Sequence, residues 1–215
     1  WLVNNLEPGP SGLRVWNHHF DFEYRDLLRA PWRSALAQGQ GISLLVRAYA
    51  DTEDPKYLDT AGLAFQTFLN GVDSGGVTYV DESGHTWFEE YIVSPPTHIL
   101  NGFIWATWGV YDYLLATRES AAQKLFQDAV ATVAANLHRY DAGFWSIYEQ
   151  SGTRLSMLAS PFYHRLHIVQ LQIMHRLTGV ETFREFALTW DAYRRSFIKR
   201  SVALSYKALF KLVYY

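Results

Sequence analysis

From Ser34 onward, apolar side chains return every three or four positions in six successive runs, the spacing of one buried helix face. The pattern predicts helices over Ser34–Tyr49 and Lys56–Asn70, then over His98–Ala116 and Ser120–Arg139, then over Tyr163–Leu177 and Glu181–Phe197. Asp54-Pro55 marks the first turn between partners, and Pro161 opens the third pair. After the second helix of the first two pairs comes a short glycine–tyrosine element, Gly75-Gly76-Val77-Thr78-Tyr79 and then Gly143-Phe144-Trp145-Ser146-Ile147-Tyr148. Corresponding points lie roughly 60 to 70 residues apart, a longer period than that of compact solenoid repeats.

Helix pairs that end in short extended loops predict a mainly α fold, an α/α toroid: an open or partial barrel of helix pairs with hairpin-like loops on one rim. On such a scaffold, function belongs to the loops and to the starts of the inner helices. Residues 1–30 read as a loop and strand lead-in, punctuated by Pro8-Gly9-Pro10-Ser11-Gly12, with a strand-like stretch from Arg14 to Tyr24. Residues 31–200 read as the toroid, and 201–215 as a C-terminal tail. The lead-in is compatible with an upstream β-rich part.

Composition adds one unusual feature, an aromatic content of 16% with 8 Trp, 14 Tyr and 13 Phe. Rings fill cores, and Tyr and Trp also carry a polar handle that sugars exploit. The 19 basic and 21 acidic residues give a net charge of −2, too little to draw in nucleic acid or an acidic membrane. From Arg184 on, seven basic residues face only Glu185 and Asp191, which reads as a solvated helix face with a tail or as a polyanion-docking surface. The absence of cysteine leaves the redox compartment open. The most apolar stretch, Ile99–Leu115, contains Asn101 and Asp112 and reads as a buried helix.

Three places depart from ordinary helix. Gln38-Gly39-Gln40-Gly41 sits inside a good helix, where each glycine costs about 1 kcal/mol relative to alanine. Either neighbouring helices pack closely there or Gln38 and Gln40 face a ligand. Trp87-Phe88-Glu89-Glu90-Tyr91 sets two carboxylates beside a tyrosine on a loop feeding a helix start. That suits general acid/base work, and a solvated acidic turn is the plainer reading. Pro161-Phe162-Tyr163-His164-Arg165-Leu166-His167 opens an inner helix with two histidines on one face. Capping, packing or substrate contact accounts for them; a metal would need a third ligand that the spacing does not offer.

At these places the chain resembles the C-terminal domain of the D-glucuronyl C5-epimerases of heparan sulfate and heparosan biosynthesis. The resemblance is carried by Pro31-Trp32-x-Ser34-Ala35-x-Ala37-Gln38-Gly39-Gln40-Gly41-Ile42-Ser43-Leu44-Leu45-x-Arg47-Ala48-Tyr49 and Phe88-Glu89-Glu90-Tyr91. Leu100-Asn101-Gly102-Phe103-Ile104, Tyr148, and Tyr163-His164 with His167-Ile168 and Gln170-Leu171 follow in family order. The resemblance implies a uronate C5-epimerase acting on a uronic-acid polysaccharide, with Glu90, Tyr91 and Tyr163 as catalytic residues. Tyr148, Asn101, Arg154, His164, Gln38 and Gln40 become candidate substrate contacts. Arg154 stands where it restores a positive charge that the family places soon after the Tyr148 position.

Epimerisation needs proton-transfer groups on opposite faces of the sugar ring, so Glu90 with Tyr91 is expected on one face and Tyr163 on the other. A phenolate base would need cations, for which Arg154, Arg165 or His164 are available, because an unperturbed phenol titrates near 10. This chemistry calls for no metal or organic cofactor. A homodimer is compatible with the reading. A polysaccharide lyase or glycosidase, and an inactive glycan binder, are the competing classes.

Overall fold

The computed structural model describes residues 1–214. It is mainly α-helical, and a helix is found near each of the six places that the hydrophobic period marks. Two compact units are distinguished: residues 1–98 with 102–132, and residues 99–101 with those from 133 on.

The first unit opens with four short antiparallel ladders. Strands β1 (Glu7–Pro8) and β2 (Arg14–Val15) pair, as do β3 (Asn17–His18) and β6 (Trp32–Arg33), and β4 (Phe22–Glu23) and β5 (Leu27–Leu28). The expected strand from Arg14 to Tyr24 is therefore broken into pieces. Its break at Trp16 has a local cause: the amide of Gln38 takes both main-chain groups of that residue, which leaves none for a ladder. Helices α1 (Ala35–Thr52) and α2 (Pro55–Leu69) pack as a pair. Pro55 at the first helical position and Asp54, whose side chain accepts from the Lys56 amide, start α2. Next comes the ladder of β7 (Thr78–Val80) and β8 (Thr86–Phe88), and then helix α3 (Leu100–Thr117) and helix α4 (Ser120–Asn136).

The core of this unit is aromatic, with Phe68 edge-on to Phe88, Phe88 stacked on Phe103, and Phe65 stacked on Tyr113. The glycines inside α1 answer to packing. A Cβ on Gly39 would lie 2.7 Å from the Cα of Ala106 in α3, and one on Gly109 would lie 2.3 Å from the Gly39 carbonyl oxygen. Only bare backbone admits that approach, which offsets the helix-propensity cost.

In the second unit, α5 (Pro161–Thr178) packs on α6 (Glu181–Arg195), and α6 on α7 (Phe197–Tyr214). Ser160 caps α5 through the Tyr163 amide, Pro161 occupies its first position, and Gly179 ends it at φ 71°. Helix α7 corrects the expected tail at 201–215. Ala203 and Phe210 are buried, and Ala203 joins Trp145, Ile147 and Leu158 in a core cluster. Tyr215, the last residue of that expected tail, lies outside the described residues. The basic run is largely engaged within the fold: Arg194 and Arg195 bracket Asp191, while Lys199 and Lys207 donate to the carbonyls of Gly143 and Leu158. Among the described residues no helix is long and apolar enough to cross a membrane.

Candidate active site

The tandem Glu89-Glu90 follows directly on β8, and the backbone bends at Glu90 and Tyr91. The backbone is held on both flanks, by the Glu89 N–H on the Val77 carbonyl and by the Ala35 N–H on the Glu89 carbonyl. The second bond also satisfies one of the unpaired amides at the start of α1. Glu89 turns to His98, whose ring and main-chain N–H both reach its carboxylate, and His98 stacks on Trp87 at 4.2 Å. His98 holds φ 47°, a left-handed conformation unusual for a residue with a Cβ. A cleft of about 300 Å³ reaches Glu89, with Asp73, Tyr79 and Ser94 also in its wall.

Glu90 has different neighbours. It is 6% exposed, and its carboxylate packs against the bare Cα of Gly102, where a Cβ would lie 2.0 Å from Oε2. Tyr91 hydrogen-bonds the carboxylate, while Oε2 has no partner. Burial pushes the carboxyl up to about 7, and the charge of Glu89 adds to this against the Tyr91 hydrogen bond. The result is a carboxyl that titrates near neutrality with one oxygen open, next to a phenol. Tyr91 itself is half-buried among Phe22, Tyr24 and Trp32, with ring centroids 5.4, 4.5 and 5.8 Å away.

In the second unit, Tyr148 and Tyr163 lie with their rings 4.9 Å apart. Tyr163 is placed by the capped start of α5. Tyr148 is placed by its amide on the Met157 carbonyl and by its carbonyl, which accepts from Leu100. Asn101 is buried beside Gln170, whose amide donates to the Asn101 carbonyl. Asn101 Oδ1 and Gln170 Oε1 are both buried without a partner, so this corner keeps two open acceptors. Arg154 is exposed on the loop between Tyr148 and α5 and makes no ion pair among the described residues.

Two candidates are corrected. Gln38 is fully buried, and its amide is spent on Trp16 and on the Ser34 carbonyl, so it cannot read a ligand. His164 is also fully buried. Its Nδ1 accepts from the Ser146 N–H and lies 2.8 Å from Ser146 Oγ, its Nε2 meets the Trp190 carbonyl, and its ring stacks on Trp145 at 3.7 Å. Burial holds it down at about 4 and His167 at about 3, so neither supplies a cation for a phenolate. Ser146 Oγ also lies 3.0 Å from His167 Nδ1, making the serine the hub of this cluster. Gln40 is exposed on α1.

Neither the Glu89–His98 pair nor the Ser146 hub was expected from the sequence.

A family model described as the D-glucuronyl C5-epimerase C-terminus matches residues 11–192. A D-glucuronyl C5-epimerase of Caenorhabditis elegans is 31% identical over 208 residues, covering 90% of this chain and 33% of its own length. The uncharacterised protein MJ1128 of Methanocaldococcus jannaschii is 32% identical over 179 residues, covering 82% of this chain and 56% of its own. This chain therefore spans only part of both relatives. Among solved structures, cellobiose 2-epimerase from Spirochaeta thermophila matches with a TM-score of 0.59 at 12% identity, covering 91% of this chain and 49% of that one. A glycoside hydrolase family 76 mannosidase from Bacteroides thetaiotaomicron matches at 0.56 and 15%, covering 89% and 50%. These structural likenesses speak to fold alone, and the fold class is the α/α toroid of helix pairs.

Proposed function

We propose that this chain, which belongs to the D-glucuronyl C5-epimerase C-terminal family, is an isomerase that inverts C5 of uronic acid residues within a polysaccharide. The observation that carries the reading is the Glu90–Tyr91 pair: a buried carboxyl titrating at about 7, one oxygen open and a phenol bonded to it. A general base works best when its pKa lies near the operating pH.

The pair answers the problem that a free phenol titrates near 10. As the C5–H bond breaks, the Tyr91 oxygen takes the proton while its own phenolic proton passes to ionised Glu90, so no standing phenolate is needed. The electron pair left on C5 delocalises into the uronate carboxylate. A proton from solvent then returns to C5 on the opposite face, and exchange with solvent resets Glu90. Tyr148, Asn101 and Arg154 are assigned to holding the substrate; the open Oδ1 of Asn101 suits a sugar hydroxyl.

Incubating the purified protein with heparosan in deuterium oxide tests the reading. Deuterium at C5 with intact chains is the expected result. Unsaturated ends would make the protein a lyase, and new reducing ends a glycoside hydrolase.

A further inference from the structure

The run His18-His19-Phe20-Asp21-Phe22-Glu23-Tyr24 alternates rings with polar residues, with one exception: His19 is itself a ring. In extended chain such alternation puts His18, Phe20, Phe22 and Tyr24 on one side. The structure gathers them, with Trp32 and Tyr91, into one connected cluster. His18 lies 4.1 Å from Trp32 as its cross-strand partner, Phe20 lies 5.7 Å and Phe22 6.0 Å from Trp32, and Phe22 and Tyr24 meet Tyr91.

None of the six rings is buried, and Phe20 is 54% exposed. A core cluster of this size would be sealed from water; this one stays open to it. Its geometry is nonetheless fixed, because the Trp32 indole N–H donates to the Phe20 carbonyl and Asp21 accepts the Ala30 amide. The nearby cations are paired, Arg25 with Asp26 and Arg29 with Asp21, and Glu23 adds an exposed negative charge. A fixed row of half-buried and exposed rings whose nearby cations are already paired is poorly suited to a polyanion held by charge. It suits the apolar faces of sugar rings, which stack on aromatic faces. One end of the row is Tyr91, the phenol bonded to Glu90.

We propose that the His18–Trp32 ridge is a glycan-stacking subsite that holds sugar residues flanking the one presented to Tyr91. The inference rests on the reading of Tyr91 as part of the reacting site. It gives the lead-in residues a role that their loop-like sequence concealed.

The test is calorimetric titration of heparosan, hyaluronan and unsulfated chondroitin into wild-type, Phe20→Ala and Phe20→Trp proteins, with C5 deuterium exchange measured on the same samples. Phe20 touches His18 and Trp32 and is largely exposed, and the melting temperature of each variant checks its fold. The wild type is expected to bind at least one of the three chains with little dependence on salt. Phe20→Ala should weaken that binding about tenfold, and Phe20→Trp should retain it. No binding of any chain by the wild type, or equal binding by Phe20→Ala, overturns the subsite. Phe20-dependent binding without exchange keeps the subsite and removes the epimerase reading. Exchange with binding indifferent to Phe20 does the reverse.

Discussion

Two buried titratable centres, one in each unit, are built to opposite ends. In the first unit, burial lifts the Glu90 carboxyl to about 7, and the fold leaves Oε2 without a partner. In the second, burial drives His164 and His167 down to about 4 and 3, and Ser146, Trp145 and Trp190 surround His164 with bonds and ring contacts. Burial is common to both, so burial does not mark the reactive group. The distinction is where burial leaves the pKa, since His167 Nε2, like Glu90 Oε2, is buried without a hydrogen-bond partner. A group brought to neutrality can exchange protons at physiological pH, whereas a histidine held near 4 stays neutral and serves as a strut.

The contrast can be broken most sharply at Glu90. Replacing it with Gln should lower C5 exchange by about 100-fold or more, as expected for loss of a general base. The same change should stabilise the fold at pH 8 by on the order of 2 kcal/mol, since it removes a buried charge and costs one hydrogen bond. His164→Ala should act in the other direction, destabilising the protein by about 3 kcal/mol through lost bonds and a cavity, as read from a denaturant midpoint. The pH dependence of the wild type separates the two centres. The raised pKa of Glu90 contributes stability that is full below 4.5 and is lost as pH rises through about 7. The depressed pKa values of His164 and His167 contribute stability that is full above 6.5 and is lost as pH falls through about 4 and 3. Glu90→Gln should therefore remove the fall in stability between pH 4.5 and about 7 and leave the loss caused by the histidines at lower pH in place. At the small end, Gln40→Ala, on an exposed face of α1, should change stability by less than about 0.5 kcal/mol.

How much of this was legible in the sequence follows the range of the interactions. The helix pairs were, because Asp54-Pro55 and Ser160-Pro161-Phe162 carry their starts locally. The Gly39 packing was open to inference, since a glycine inside a good helix demands compensation. The fate of Gln38 was not, because the residue that consumes it, Trp16, lies 22 positions upstream in a stretch with no regular pattern. Likewise His164 and His167 were legible as one face of α5, but Ser146, which both meet, comes from a loop beyond local reach. Helix α7 was obscured by its lysines. Two of the basic side chains around its start and middle, Lys199 and Lys207, reach main-chain carbonyls of the same unit instead of solvent, so charge there did not mean a tail. The tandem carboxylates are legible as chemistry, but their division between His98 and Tyr91 depends on the bend after β8 and the left-handed backbone at His98.

The most direct measurement is C5 deuterium incorporation into heparosan by Tyr91→Phe, compared with the wild type under identical conditions. With the phenol gone and Glu90 in place, exchange should fall by about 100-fold or more while the melting temperature holds. Exchange at the wild-type rate in a folded Tyr91→Phe protein would contradict the assignment of proton transfer to the Glu90–Tyr91 pair.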